Sequence, residues 1–156
     1  MAVPLRASPD RRRRSDEKVC LPITSYVSLY AHSRRVEIRT EIDNQAEDHV
    51  LKALFPVPVQ TDWTYAQGQF EVRRRPIAVD PAELARQLGP DEEYPAPTQP
   101  QRAFVDVNDG QCGLAVLNRG LTEFEARPAG QNTTIALTLI RSVGWLSRPR
   151  PEHAVR

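Results

Sequence analysis

The chain has 156 residues, 40% of them hydrophobic, with a formal net charge of +1 and a mean hydropathy of −0.52. That length supports a domain with a real core. The near-neutral charge excludes a whole-molecule pull on nucleic acid or anionic membrane, and no apolar run approaches the ~18 residues of a membrane-spanning helix.

Residues 1–18, MAVPLRASPDRRRRSDEK, have consecutive arginines at 11–14 and few apolar anchors, and predict a disordered basic arm. No apolar stretch follows the basic residues, so the segment does not read as a secretory signal, and the cytoplasm is the expected compartment. A first strand is expected over Val19–Tyr30, turning at Ala31-His32-Ser33. In the next, Val36, Ile38, Thr40 and Ile42 alternate with Glu37, Arg39, Glu41 and Asp43. This period of two puts one face on a core and one in water. After a turn at Asn44–Glu47, Val50–Phe55 reads as a strand ended by Pro56 and Pro58. Thr64–Val72 is a weaker strand with Gly68 as a bulge.

Arg73, Arg74 and Arg75 lead to Pro76. Asp80 as cap, Pro81 at the first helical position, Leu84 and Leu88 four apart, and Gly89 as terminator predict one short surface helix near 81–88. Prolines at 90, 95, 97 and 100 then mark an exposed connection. The stretch that organises the rest is Arg102–Glu125. Ala103–Val107 forms a β run, Asn108-Asp109-Gly110 turns it, and Cys112–Leu117 returns. A polar corner, Asn118-Arg119-Gly120, precedes a third short strand, Leu121–Glu125. This meander is expected in the middle of one sheet. Gly130-Gln131 turns the chain into a buried strand over Thr133–Ile140, Trp145 reads as core, and 149–156 reads as a loose tail. Fourteen prolines against one methionine agree with many strands and little helix. The fold class is all-β, an antiparallel β-sandwich over 19–148.

At this point the chain resembles the C-terminal β-domain of glycoside hydrolase family 38, the α-mannosidases. The stretches that carry the resemblance are Ser33–His49, Leu54–Pro56, Tyr65–Ile77, Pro100–Glu125 and Ile135–Arg148, in the family's order. The resemblance implies a sandwich of the galactose-mutarotase-like, supersandwich type. It also implies a longer parent enzyme, with a catalytic domain that holds zinc, a carboxylate nucleophile and a carboxylate general acid/base, the retaining arrangement. No counterpart of that domain is visible in the sequence. The expected partners are that catalytic domain and, through it, a mannoside substrate, with no nucleic acid and no membrane.

The chemistry-bearing residues agree with a supporting role. His32, His49 and His153 are scattered, so no metal site is expected and no cofactor is assigned to this chain. Asp48-His49 is expected to hydrogen-bond a turn. Asp109 is needed by its own turn, and Asp106 is expected to face solvent or pair with a cross-strand arginine, so the two do not read as a catalytic pair. Cys20 and Cys112 are expected as buried free thiols, with pairing as the other possibility. Asn118, Arg119 and Gly120 are the candidate substrate-cleft residues. Gly120 permits a sharp reversal and Arg119 offers a fork of donors for a sugar hydroxyl or carboxylate. On the family resemblance this corner faces the catalytic domain. The chain is expected to hydrolyse nothing alone. Three other readings stay open: one half of a split enzyme, a stand-alone carbohydrate-binding sandwich using Trp63, Tyr65 and Arg119, and a basic-armed nucleic-acid binder.

Overall fold

The computed structural model describes residues 1–78, 86 and 97–143, and among these it contains strands and almost no helix. In chain order the strands are β1 (Ala2–Pro4), β2 (Lys18–Cys20), β3 (Ile23–Leu29), β4 (Val36–Ile42), β5 (His49–Val57) and β6 (Trp63–Gln67). They continue with β7 (Val72–Pro76), β8 (Gln99–Pro100), β9 (Phe104–Asn108), β10 (Gly113–Leu117), β11 (Glu123–Ala129) and β12 (Asn132–Ser142). The helix expected near 81–88, Trp145 and the tail at 149–156 lie outside the described residues, Arg86 excepted. No helix among the described residues is long and apolar enough to cross a membrane.

The chain divides into two compact units, Leu51–Ile140 and Met1–Val50 with the residues from Arg141 onward. The Leu51–Ile140 unit is an antiparallel sandwich. One sheet has the order β10-β9-β6-β7 and the other β5-β12-β11-β8. Alternation decides what lies between them. Ala66, Val105, Val107 and Val116 from the first sheet meet Val57, Phe124, Ile135 and Leu137 from the second. Each fully buried side chain of this size contributes roughly 1.5–3 kcal/mol, so these few residues supply most of the unit's cohesion.

Several expectations change here for local reasons. Gly68 is not a bulge: its N–H donates to Glu71 O at 2.9 Å, closing a hairpin between β6 and β7. The three arginines at 73–75 therefore lie within a strand. Pro56 does not end β5, because β5 lies at the end of its sheet and a missing N–H costs little on an outward edge. The meander is also split. β9 and β10 pair in one sheet, but the corner after β10 carries β11 across to pair with β12 in the other.

The Met1–Val50 unit begins with a hairpin where the sequence predicted a disordered basic arm. β1 pairs with β2, with Val3 opposite Val19, and an isolated bridge joins Ala7 to Arg14. The turn is held by Asp10, whose carboxylate accepts from the Ser8 hydroxyl and the Arg12 N–H. Arg14 ties the hairpin down by donating to the carbonyls of Pro4 at 3.2 Å and Glu47 at 3.3 Å. Leu21, fully buried, separates β2 from β3, so the single strand expected over Val19–Tyr30 is two. β3 and β4 form a two-stranded ribbon of their own. Cys20 and Cys112 are both free and both exposed, not buried.

One buried charge matters to the sandwich. Glu125 is almost fully enclosed, and its carboxylate takes Lys52 Nζ at 2.7 Å and a forked pair from Arg127 at 2.6 and 2.9 Å. The Arg127 hydrogen bonds hold its pKa below the ordinary glutamate range, Lys52 adds to this, and burial opposes it. A lowered folded-state pKa contributes stability that is complete above the unfolded value, about 4.3, and is lost as pH falls below it. Glu125→Gln is therefore expected to cost about 1–3 kcal/mol at neutral pH, and to flatten the loss of stability as the pH falls below about 4.3. Urea unfolding across that pH range checks both.

Candidate functional site

The corner after β10 is built by backbone before any side chain acts. Leu117 is paired with Phe104, and Asn118 N–H then donates to Ala103 O at 2.8 Å, one step past the end of the ladder. Asn118 Oδ1 accepts the Leu121 N–H at 2.9 Å, folding the chain over itself. Gly120 sits at φ +89, a left-handed conformation that side chains with a Cβ resist. Asn118 and Gly120 thus shape the corner, and Arg119 is carried on its outside. The Arg119 side chain is exposed and makes no hydrogen bond or ion pair among the described residues. Asn118 Nδ2 is buried without a partner. Such an orphaned donor costs about 1–3 kcal/mol until something accepts from it.

Register places other groups at the same end of this sheet. Gln67 is opposite Val72, and Arg102 N–H donates to Gln67 O at 2.9 Å. The β6–β7 hairpin tip, Gly68–Glu71, and Arg102 therefore flank the Asn118–Gly120 corner. Arg102 is a second exposed guanidinium with no partner among the described residues. Phe70, at the tip, is fully exposed and has φ +64, a conformation bulky residues avoid. Leu117 and Val72 are also exposed there. The arrangement can donate hydrogen bonds to hydroxyls or a carboxylate through two arginines and offer an aromatic face beside them. Sequence reading found the corner but missed Arg102. Gly68, read as a bulge, opens the turn that carries Phe70.

The other candidates separate. Trp63 and Tyr65 lie two apart on β6, on one face, but at the end of β6 away from Phe70. The Arg74 guanidinium sits 3.7 Å from the Trp63 ring centroid. That face of the indole is occupied from within the chain, which leaves a poor stacking platform. Asp106 is half-buried and accepts from the Asn108 side chain two residues along, with no arginine partner. Asp109 serves its loop: Oδ1 accepts the N–H groups of Gln111 at 2.9 Å and Cys112 at 2.8 Å, and these bonds lower its pKa.

Asp48 holds Ala7 N–H at 3.4 Å and Arg11 at 3.3 Å, from a left-handed backbone at φ +52. His49, expected to bond a turn, instead has both ring nitrogens enclosed without partners. A concavity of about 370 Å³ is lined by Ala7, Arg11–Arg14 and Asp48. Arg11 and Arg14 are engaged in holding the hairpin to the loop before β5. Among the described residues, no three His, Cys, Asp or Glu side chains come together closely enough to hold a metal ion. The zinc implied by the family resemblance finds no donor set among them.

Residues 6–152 match the model of the glycosyl hydrolases family 38 C-terminal domain. The chain belongs to that family. It is 32% identical over 139 residues to a putative mannosylglycerate hydrolase of Halalkalibacterium halodurans, covering 88% of this chain and 14% of that protein. It is also similar to two solved structures from Enterococcus faecalis. An α-mannosidase has a TM-score of 0.73 and 32% identity, and a protein of glycosyl hydrolase family 38 has 0.72 and 29%. Each match covers 92% of this chain, but only 16% and 17% of those chains. The chain thus spans about a sixth or less of the length of these relatives.

The roles at the corner predict a split between stability and exposure. Asn118→Ala is expected to cost about 1 kcal/mol by leaving the Leu121 N–H unpaired, and Gly120→Ala about 1–2 kcal/mol by strain. Arg119→Ala is expected to stay within about 0.5 kcal/mol of the parent. Denaturant melts of the three variants separate the two classes.

Proposed function

We propose that this chain is the C-terminal β-sandwich portion of a family 38 α-mannosidase and supports hydrolysis of terminal α-mannosyl residues. The observation that carries the reading is the match to the family's C-terminal domain, together with the fit to one stretch of a solved α-mannosidase. The chain's own part is structural and cleft-lining. Asn118 and Gly120 set the corner, and Arg119, with Arg102 beside it, presents guanidinium donors to a hydroxyl of the sugar or to a carboxylate of the substrate. The H. halodurans relative is described as acting on mannosylglycerate, whose glycerate carries a carboxylate, and a guanidinium fork suits such a group. Zinc and the two carboxylates of the retaining reaction would be supplied from outside this chain, and the cytoplasm is the proposed compartment.

The stand-alone carbohydrate-binding reading is weaker, because Arg74 already covers Trp63 and Phe70 lies at the far end of the strand pair.

Two measurements test the proposal. The purified chain is expected to release no product from an aryl α-mannoside; turnover would overturn it. In the full-length E. faecalis α-mannosidase, alanine at the position aligned with Arg119 is expected to lower kcat/KM by roughly 10–100-fold, the loss of one charged hydrogen bond. An unchanged kcat/KM would remove the cleft-lining role.

A further inference from the structure

The β3–β4 ribbon has two unlike faces. Its register pairs Ile23 with Ile42, Ser25 with Thr40, Val27 with Ile38 and Leu29 with Val36, all on one side. The two hydroxyls on that side bond each other at 3.1 Å, and the face carries no charged group. The other side carries Thr24, Glu41, Tyr26, Arg39, Ser28 and Glu37. There the charges are matched: Arg39 bonds Glu41 at 2.6 Å and lies 5.8 Å from the Tyr26 ring centroid, and Arg35 bonds Glu37 at 2.8 Å. The polar side is finished for water, and the apolar side is not. Val27 is 67% exposed, Leu29 72%, Val36 54% and Ile38 51%. A strand pattern of this kind normally rests its apolar face on a core. A two-stranded ribbon also gains independent stability only from further strands or a packed layer. Neither strand has a second neighbour among the described residues.

Resting on the functional reading above, we infer that this apolar face is the surface on which the rest of the enzyme's polypeptide packs, as an opposing apolar layer that completes a second sandwich. The relatives say how much chain is available for this. This chain corresponds to 14–17% of their length, so the large remainder lies outside it. The face carries no charge, so its occupant is recognised by shape and apolar area, and charged partners or free sugars do not fit it. The second sheet of a sandwich packs about 10 Å away, close enough to enclose side chains of this size.

The test uses two chains. In this 156-residue chain, Val27→Asp with Ile38→Asp is expected to lower the unfolding temperature only slightly, by the repulsion of two carboxylates paired across the ribbon, because the face is exposed there. In the full-length E. faecalis α-mannosidase, the same pair of substitutions at the aligned positions is expected to lower it by several degrees or abolish soluble expression. The milder Val27→Thr with Ile38→Thr pair keeps the comparison readable if the aspartates prevent folding. In the solved α-mannosidase, the aligned face should be covered by residues outside the matched region. Equal destabilisation of the short chain would mean that the face is covered from within it, and would overturn the inference. No effect in the full-length enzyme would overturn it as well. Loss of concentration-dependent self-association in the short chain, with the full-length enzyme unaffected, would assign the face to a second copy instead. Mannosidase activity of the short chain would refute the functional reading without touching these melting results.

Discussion

Phe124 is 1% exposed at the point where the two sheets of the Leu51–Ile140 unit meet, and the packing around it sets everything else in that unit. Side chains alternate along a strand, so Val105 and Val107 can face Phe124 only in one register of β9. That register fixes Val116 opposite Val105 and Leu117 opposite Phe104. It also sets Ala66 against Val105, which aligns β6 and its hairpin tip. A slip by one residue would turn the valines outward and move the Asn118–Gly120 corner relative to the tip. The position of the candidate site is thus a consequence of core packing and of nothing local to the site.

The same unit handles charge by pairing it. Glu125 is enclosed but meets two cations, and its acceptor oxygens are satisfied on both sides. Thr138 similarly donates its hydroxyl to Glu123 at 2.8 Å, on the neighbouring strand. By contrast, Arg102 and Arg119 at the sheet's end meet no carboxylate among the described residues. Guanidinium groups exposed at one rim are suited to a ligand or a partner surface.

Much of this was readable in the residues. Turn chemistry and period-two alternation gave β4, β9, β10 and β12 within a residue or two, and with them the sandwich class. Asp109 declared its turn role because an aspartate before glycine has a short, natural reach to the following N–H groups. The misreadings have physical causes. Residues 1–18 look soluble by composition, but a turn pinned by Ser8 and Asp10 and an arginine reaching three backbone carbonyls hold them in a hairpin. The passage of β11 into the other sheet leaves no local trace, since a corner between sheets and a corner within one use the same residues. Arg102 was invisible for a related reason: exposure at a rim depends on which strand ends are neighbours, and that is a long-range property.

The hairpin tip also bears on how this unit meets proteases. Phe70 stands on a four-residue turn with its ring in water and its backbone already out of the extended form. Proteases that cleave after large aromatic residues bind exposed, adaptable loop tips in preference to paired strands. The tip presents such an enzyme with an accessible bond between β6 and β7. Cutting there would free β7 from the edge of its sheet, so the turn that borders the candidate site is also the point where limited proteolysis would begin to open this unit.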